Sequence, residues 1–285
     1  MSTFGPSSPI GIIKSTYNSL TKSEQKVADI ILEGAKESVY SSVTDLAEKA
    51  GVGETTIIRF CRKLKYRGFQ EFKLAVAQSL SNVDIQIHGE IAESDHLDVI
   101  AKKITSQNAS ALQDTIDLLE APTLEKAVEA ILKARKLYFF GVGSSGYTAG
   151  DAKYRFMRLG YNVDKATDAH IIAMNAALAG KEDVVVAISS SGSTKDIVDG
   201  VRIAKENKAL VICITNHARS PITNYADVIL LSASKETPLQ GGAFSSKIAQ
   251  LHLLDILTTI TGLRAKERSF KAIEKTAKAV LNKMY

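Results

Sequence analysis

Two short stretches concentrate hydroxyls and glycines in a way that suits an anionic guest. Gly141-Val142-Gly143-Ser144-Ser145-Gly146 and Ser189-Ser190-Ser191-Gly192-Ser193-Thr194 each follow an apolar run and precede a helical pattern. Each therefore sits where a strand ends and a helix opens. Unpaired amides and the helix dipole attract negative charge at such a point. Serine and threonine hydroxyls can complete the oxygen shell of a phosphate, and glycine lets the backbone come close. The plainer reading is a pair of serine-rich turns that only cap helices. The first loop also matches G-x-G-x-x-G, with Asp164 or Asp168 near the place of a ribose-binding acid. A dinucleotide does not call for the second hydroxyl cluster, whereas a sugar phosphate does.

A different chemistry is written between Ser42 and Lys73. A short helix from Ser42, the break Gly51-Val52-Gly53 and a helix from Glu54 to Leu64 have the spacing of a DNA-binding helix-turn-helix. On the second helix, Ile57, Phe60, Cys61 and Leu64 fall on one side, which must bury. Thr55, Arg59 and Arg62 point the other way, flanked by Thr56 and Lys63. Guanidinium forks and hydroxyls suit guanine edges and phosphates in a major groove. Lys65 and Arg67 follow within reach of a nucleic-acid backbone. The alternative is a solvated basic face on a small helical domain.

The elements that must position these residues fall into two regimes. Up to about residue 80 the pattern is helical. Ser8-Pro9 reads as a helix start, Thr21-Lys22-Ser23-Glu24 as a capping box, and Phe69 to Leu80 as a fifth helix. Residues 81–94 read as a linker, followed by a long helix with Leu97, Ile100, Ile104, Ala111, Leu112 and Leu119 along its apolar stripe. After Pro122 strands and helices alternate. Strands are expected at Leu137–Gly141, Asp183–Ser189, Leu210–Thr215 and Val228–Leu231, with a weaker one at Asn162–Thr167. Helices are expected at Ser145–Leu159, Ile171–Ala179, Thr194–Glu206, Pro221–Tyr225 and Ala243–Thr261, with a basic helix closing the chain. Apolar strands joined by helices predict a parallel sheet covered on both faces. The expected division is 1–80 for the helix-turn-helix domain, 81–122 for linker and connecting helix, and 123–285 for an α/β domain.

Composition narrows the classes. The 285 residues are 45% hydrophobic and 24% charged, ordinary for folded domains with a sizeable core. No apolar run reaches the roughly 20 residues of a membrane span, and the first residues lack the pattern of a secretory signal. No membrane partner and a cytoplasmic location are expected. The two cysteines, Cys61 and Cys213, allow neither a disulfide framework nor a four-thiolate zinc site, and read as buried thiols. No cofactor or metal is expected. Net charge is +5, with six bases against two acids between Glu54 and Lys73. The basic excess is partly local to the candidate DNA-binding helix.

Together these residues resemble the RpiR family of bacterial transcription regulators, in which a helix-turn-helix domain precedes a sugar isomerase (SIS) domain. The resemblance rests on Gly51 to Leu64, Tyr66 to Lys73, Gly141 to Ser145, Ile188 to Thr194, Glu236 and Ser245 to Leu251. It implies a five-stranded parallel sheet between helices, a phosphosugar effector and assembly as a homodimer or homotetramer. Carried over by motif, Ser145, Ser189, Ser191 and Thr194 would hold the phosphate, and Ser144 and Ser190 would line the same pocket. Glu236 matches the base of SIS isomerases and, in a regulator, would accept hydrogen bonds from sugar hydroxyls. Lys247 stands where the family often has arginine, and Gly53 stands where it often has a serine or threonine cap.

Aldose–ketose isomerisation needs a base beside the carbonyl carbon and a group that moves protons during ring opening. Glu236 fits the first role; His170 and His252 are the candidates for the second, His252 reading better as a packed residue. The attached DNA-binding domain makes sensing the simpler account. The expectation is a non-enzymatic repressor of a sugar-metabolism operon, binding double-stranded operator DNA and a phosphosugar. A phosphosugar isomerase with a helical appendage and a dinucleotide-sensing redox regulator are the alternatives.

Overall fold

The computed structural model describes residues 8–81, 91–92, 94–234 and 244–283. The chain divides into two compact units, with the boundary inside helix α7 (Leu97–Asp117) between Ser106 and Gln107.

The first unit is helical: α1 (Pro9–Thr16), α2 (Lys22–Glu33), α3 (Ala35–Ser38), α4 (Val43–Lys49), α5 (Glu54–Lys63) and α6 (Phe69–Ser81). The expected capping box forms at Thr21, whose hydroxyl accepts from the Glu24 amide while Glu24 accepts from the Thr21 amide. Ser42 and Asp45 form a second one at the start of α4. The expected inner face of α5 is buried, with Phe60 packed edge-on against Phe72 at 5.9 Å between ring centroids. Val27, Ile31, Leu46 and Ile57 complete this core. Each large side chain so buried stabilises the unit by about 1.5–3 kcal/mol.

The second unit carries the α/β pattern. Helix α8 (Ala121–Lys133) leads into β1 (Lys136–Phe140), α9 (Ser144–Arg158), β2 (Val163–Ala166), α10 (Ala169–Leu178), β3 (Asp183–Ile188), α11 (Lys195–Glu206), β4 (Leu210–Thr215), β5 (Val228–Leu231), α12 (Phe244–Arg264) and α13 (Lys266–Val280). The strands form one parallel sheet in the order β2-β1-β3-β4-β5. The two-residue period of the strands splits the core. Leu137, Phe139, Val184, Val186, Ile212 and Ile214 face one side with α8, α9 and α12. Tyr138, Phe140, Val185, Ala187, Val211 and Cys213 face the other with α10 and α11.

Several expectations are corrected. The weak strand is real, and it looked weak because β2 is an edge strand whose Asp164 and Lys165 are not buried. Helix α8 is an addition to the expected pattern, which places no helix around Pro122. Pro122 lies in the first turn of α8, where a missing amide costs no hydrogen bond. Pro221–Tyr225 is only a single 3-10 turn at Thr223–Tyr225, and the four-residue α3 was not foreseen. On α7, Ala111 is buried but Leu97 and Ile104 are exposed. The expected linker lies largely outside the described residues. Both cysteines are buried, and burial pushes their thiols up to about 12. Among the described residues, no helix is long and apolar enough to cross a membrane.

Candidate functional site

The sheet order creates the setting for the two serine loops. β1 has β2 on one side and β3 on the other, so the chain changes direction across the sheet between β1 and β3. Ligands of open parallel sheets bind at this switch point, beyond the strand carboxyl ends. Both loops lie there: one joins β1 to α9, the other β3 to α11. The two helices cover opposite faces of the sheet, so their amino ends approach the same edge from both sides.

The glycines are there for geometry. Gly143 has φ 56 and ψ −131, a conformation that side chains disfavour. At Gly141 an added Cβ would lie 2.5 Å from the Ser145 carbonyl oxygen. Gly192 combines both demands, with φ +60 and an added Cβ only 2.0 Å from the Ser220 hydroxyl. Around this frame Ser144 and Ser145 occupy the first turn of α9, half-buried. Ser189 is buried with its hydroxyl 3.4 Å from that of Thr194, which is the N-cap of α11. The Ser191 hydroxyl accepts the Ser193 amide at 3.2 Å. The six expected residues thus converge at the two helix amino ends. Glu236 lies outside the described residues.

Sequence reasoning missed the layer behind the loops. The Gln250 amide donates to the Ser190 hydroxyl at 2.9 Å and accepts from Thr148 at 3.2 Å, so α12 ties the second loop to α9. Asn216 donates from its backbone to the Ser190 carbonyl and from its side chain to Ser246, and it accepts from Ser232 at 2.6 Å. Gln250 and Ser246 are buried and satisfied, as a rigid polar network requires. Asn216 carried no signal in the sequence beyond standing after an apolar strand.

His170 is exposed at the start of α10 and His252 is half-buried on α12. Lys247 places its ammonium 5.1 Å from the centroid of the Tyr147 ring. The carboxylates expected for a ribose have other work. Asp168 caps α10 by accepting the His170 and Ile171 amides, and Asp164 pairs with Lys136 and Lys153.

In the helical unit, α4 ends with Gly51 at φ +62. Its amide donates to Glu48 and the Val52 amide to Ala47, which turns the chain into α5. Gly53 caps α5 without a side chain, and the Thr44 hydroxyl reaches Glu54 at 2.5 Å across the turn. Thr55, Arg59 and Arg62 are exposed along α5. Thr56 is buried and accepts from Arg59 at 3.4 Å, so it supports that side chain rather than presenting itself. Lys63 is held at 3.0 Å by Glu24 and at 2.6 Å by the Ser19 carbonyl. Burial works to raise the Glu24 carboxyl, but hydrogen bonds from Thr21 and Lys63 outweigh it and the net shift is downward. Lys65, with φ 70, and Arg67 are exposed just beyond α5.

Fold and loops together define a class: a helix-turn-helix domain followed by an α/β domain with two serine-rich loops at the switch point of a parallel sheet. Residues 10–83 match the helix-turn-helix domain of the rpiR family, and residues 130–260 match the SIS domain. An HTH-type transcriptional regulator of Haemophilus influenzae is 39% identical over 273 residues, covering 94% of this chain and 95% of that protein. The regulator HexR of Escherichia coli is 35% identical over 253 residues, covering 88% and 87%. Among solved structures, the Vibrio vulnificus NanR protein complexed with ManNAc-6P matches with a TM-score of 0.88 at 30% identity, covering 97% of this chain and 99% of that one. The chain belongs to the RpiR family of HTH-type transcriptional regulators. It is a transcriptional regulator with a SIS domain.

Proposed function

We propose that this regulator is a repressor of a sugar-metabolism operon that releases its operator when a phosphorylated sugar occupies the SIS domain. The observation that carries the reading is the pair of hydroxyl-lined helix amino ends meeting at the β1/β3 switch point, on the same chain as a helix-turn-helix. Ser145, Ser189, Ser191, Thr194 and the neighbouring amides receive the phosphate, with Ser144 and Ser190 beside them. Glu236 accepts from the sugar hydroxyls. Thr55, Arg59 and Arg62 meet base edges and phosphates, while Lys65 and Arg67 meet the backbone. Lys63 joins them only by leaving Glu24. The engagement of Asp164 and Asp168 favours a sugar phosphate over a dinucleotide. The 30% identity with NanR, whose structure holds ManNAc-6P, supports the ligand class. Two subunits present two recognition helices to operator half-sites. The ligand shifts this equilibrium only by its unequal affinity for the DNA-bound and free forms.

A thermal-shift screen of sugar phosphates, free sugars, inorganic phosphate and NAD(H), followed by operator binding with each hit, tests the reading. Stabilisation by a sugar phosphate together with weaker operator binding is expected. Stabilisation by NAD(H) alone, or turnover of the sugar phosphate, would replace the reading with one of its rivals. Ser189→Ala with Ser191→Ala is expected to abolish the response while operator affinity stays. Arg59→Ala is expected to weaken operator binding by about 1–3 kcal/mol. Unchanged affinity would remove Arg59 from the interface.

A further inference from the structure

The hydrogen bonds behind the second serine loop all run in one direction. Asn216 sets that direction. Its side-chain nitrogen faces the Ser234 carbonyl at 3.4 Å, a group that can only accept, and its side-chain oxygen takes the Ser232 hydroxyl at 2.6 Å. The same nitrogen donates to the Ser246 hydroxyl oxygen at 2.9 Å, and the Ser234 hydroxyl donates to that oxygen at 2.9 Å. A hydroxyl has two lone pairs and one proton, so Ser246 has only its proton left, and gives it to Ser190 at 3.5 Å. Gln250 repeats the pattern from α12. Its oxygen takes the Thr148 hydroxyl at 3.2 Å, and its nitrogen donates to the Ser190 hydroxyl oxygen at 2.9 Å.

Both chains of donation end at Ser190. Its two lone pairs are filled, and among the described residues its own proton meets no acceptor. Ser246, Gln250 and Thr148 are buried whereas Ser190 is half-buried, so that proton is left for the open side of the loop. The backbone of Ser190 is held too: its carbonyl accepts from the Asn216 backbone amide at 3.1 Å and from the Thr215 hydroxyl at 3.3 Å. In a trans peptide the N–H points opposite to the C=O, so the Ser191 amide is also aimed away from this network. A hydroxyl proton and an amide presented together suit a guest that only accepts, such as a fully ionised tetrahedral oxyanion.

We infer that Gln250 and Ser246 are positioning residues that make Ser190 a committed donor to the oxyanion of the ligand. They act through the Ser190 hydroxyl. The inference rests on the phosphate site proposed above and adds the direction of one of its hydrogen bonds.

The test is a sulfate titration of the full chain at constant ionic strength, read from the NMR shifts of the amides of residues 143–145 and 189–192. Gln250→Met removes the donor and keeps an unbranched side chain of similar length. It is expected to weaken sulfate binding about three- to tenfold. Ser190→Ala weakens binding itself but leaves Ser145, Ser189, Ser191 and Thr194 in place, and on that background Gln250→Met is expected to cost nothing further. A change that merely loosened the fold would cost the same on both backgrounds. Gln250→Glu accepts where the amide donates, so its loss is expected to exceed that of Gln250→Met and to shrink on the Ser190→Ala background, where charge alone acts. Binding unchanged by Gln250→Met, or a loss as large with Ser190→Ala as without it, overturns the inference and leaves the phosphate site standing. A wild type whose loop amides ignore sulfate overturns both.

Discussion

Gly192→Ala gives the sharpest check on how the second loop is built. The residue has φ +60, which costs an L-residue about 1–2 kcal/mol. Its new methyl would also lie 2.0 Å from the Ser220 hydroxyl and 2.5 Å from the Ser220 Cβ. Ser220 is fully buried, and its amide is held by Thr223, so it has little room to retreat. Overpacking of this sort costs about 1–3 kcal/mol. Together the two effects destabilise the α/β unit by about 2–5 kcal/mol. Gly143→Ala is the control: φ is +56, but nothing lies within 4 Å of the added Cβ, so only a conformational cost of about 1–3 kcal/mol applies. Urea unfolding followed by amide exchange in β3 and β4 isolates the unit concerned. Adding Ser220→Gly to Gly192→Ala should return about 1 kcal/mol or more by removing the atoms in the way. A Gly192→Ala variant within about 0.5 kcal/mol of wild type, the noise of an ordinary surface substitution, would refute the account.

Lys73→Met tests the helical unit. Lys73 is buried and donates to the Ser41 carbonyl at 2.9 Å, and burial brings its amine down to about 8 despite Asp45. A lysine lowered on folding costs stability fully below pH 8, and the cost fades as pH rises toward the unfolded value of 10.5. At about 1.4 kcal/mol per pH unit, the upper bound on that cost is roughly 3 kcal/mol. Loss of the Ser41 hydrogen bond takes back about 1 kcal/mol. The variant should be more stable than wild type at pH 7 by about 1–2 kcal/mol, and denaturation at pH 7, 9 and 10.5 should show the gap closing. Lys208→Gly should stabilise the α/β unit by about 0.5–1 kcal/mol, because Lys208 holds φ 67 at the end of α11. A variant less stable than wild type in urea unfolding would show that the lysine side chain matters more than its backbone.

The loops were legible because each depends on neighbours in the chain: an apolar strand, a few hydroxyls and glycines, an opening helix. The same holds for α5, whose buried Ile57, Phe60 and Cys61 follow from a 3.6-residue period alone. The wheel placed Thr56 and Lys63 at the border of the basic face and could go no further. Thr56 is buried, and Lys63 is bound by Glu24 and Ser19 from a distant part of the chain. Asp164 and Asp168 matched a ribose acid by spacing, yet one is paired with lysines and the other caps a helix.

What the sequence determined by itself was therefore everything of short range: the kinds of element, the face each must bury, and the two loops with the chemistry to hold an anion. Tertiary structure decided the strand order that sets β1 beside β3, the Gln250–Ser190–Thr148 link across three elements, and which large apolar side chains, such as Phe270 on α13, stay exposed. The physical reason is that periodicity and capping act over a few residues. Which polar groups satisfy one another, and which apolar face is left uncovered, depends on elements brought together from far apart in the chain.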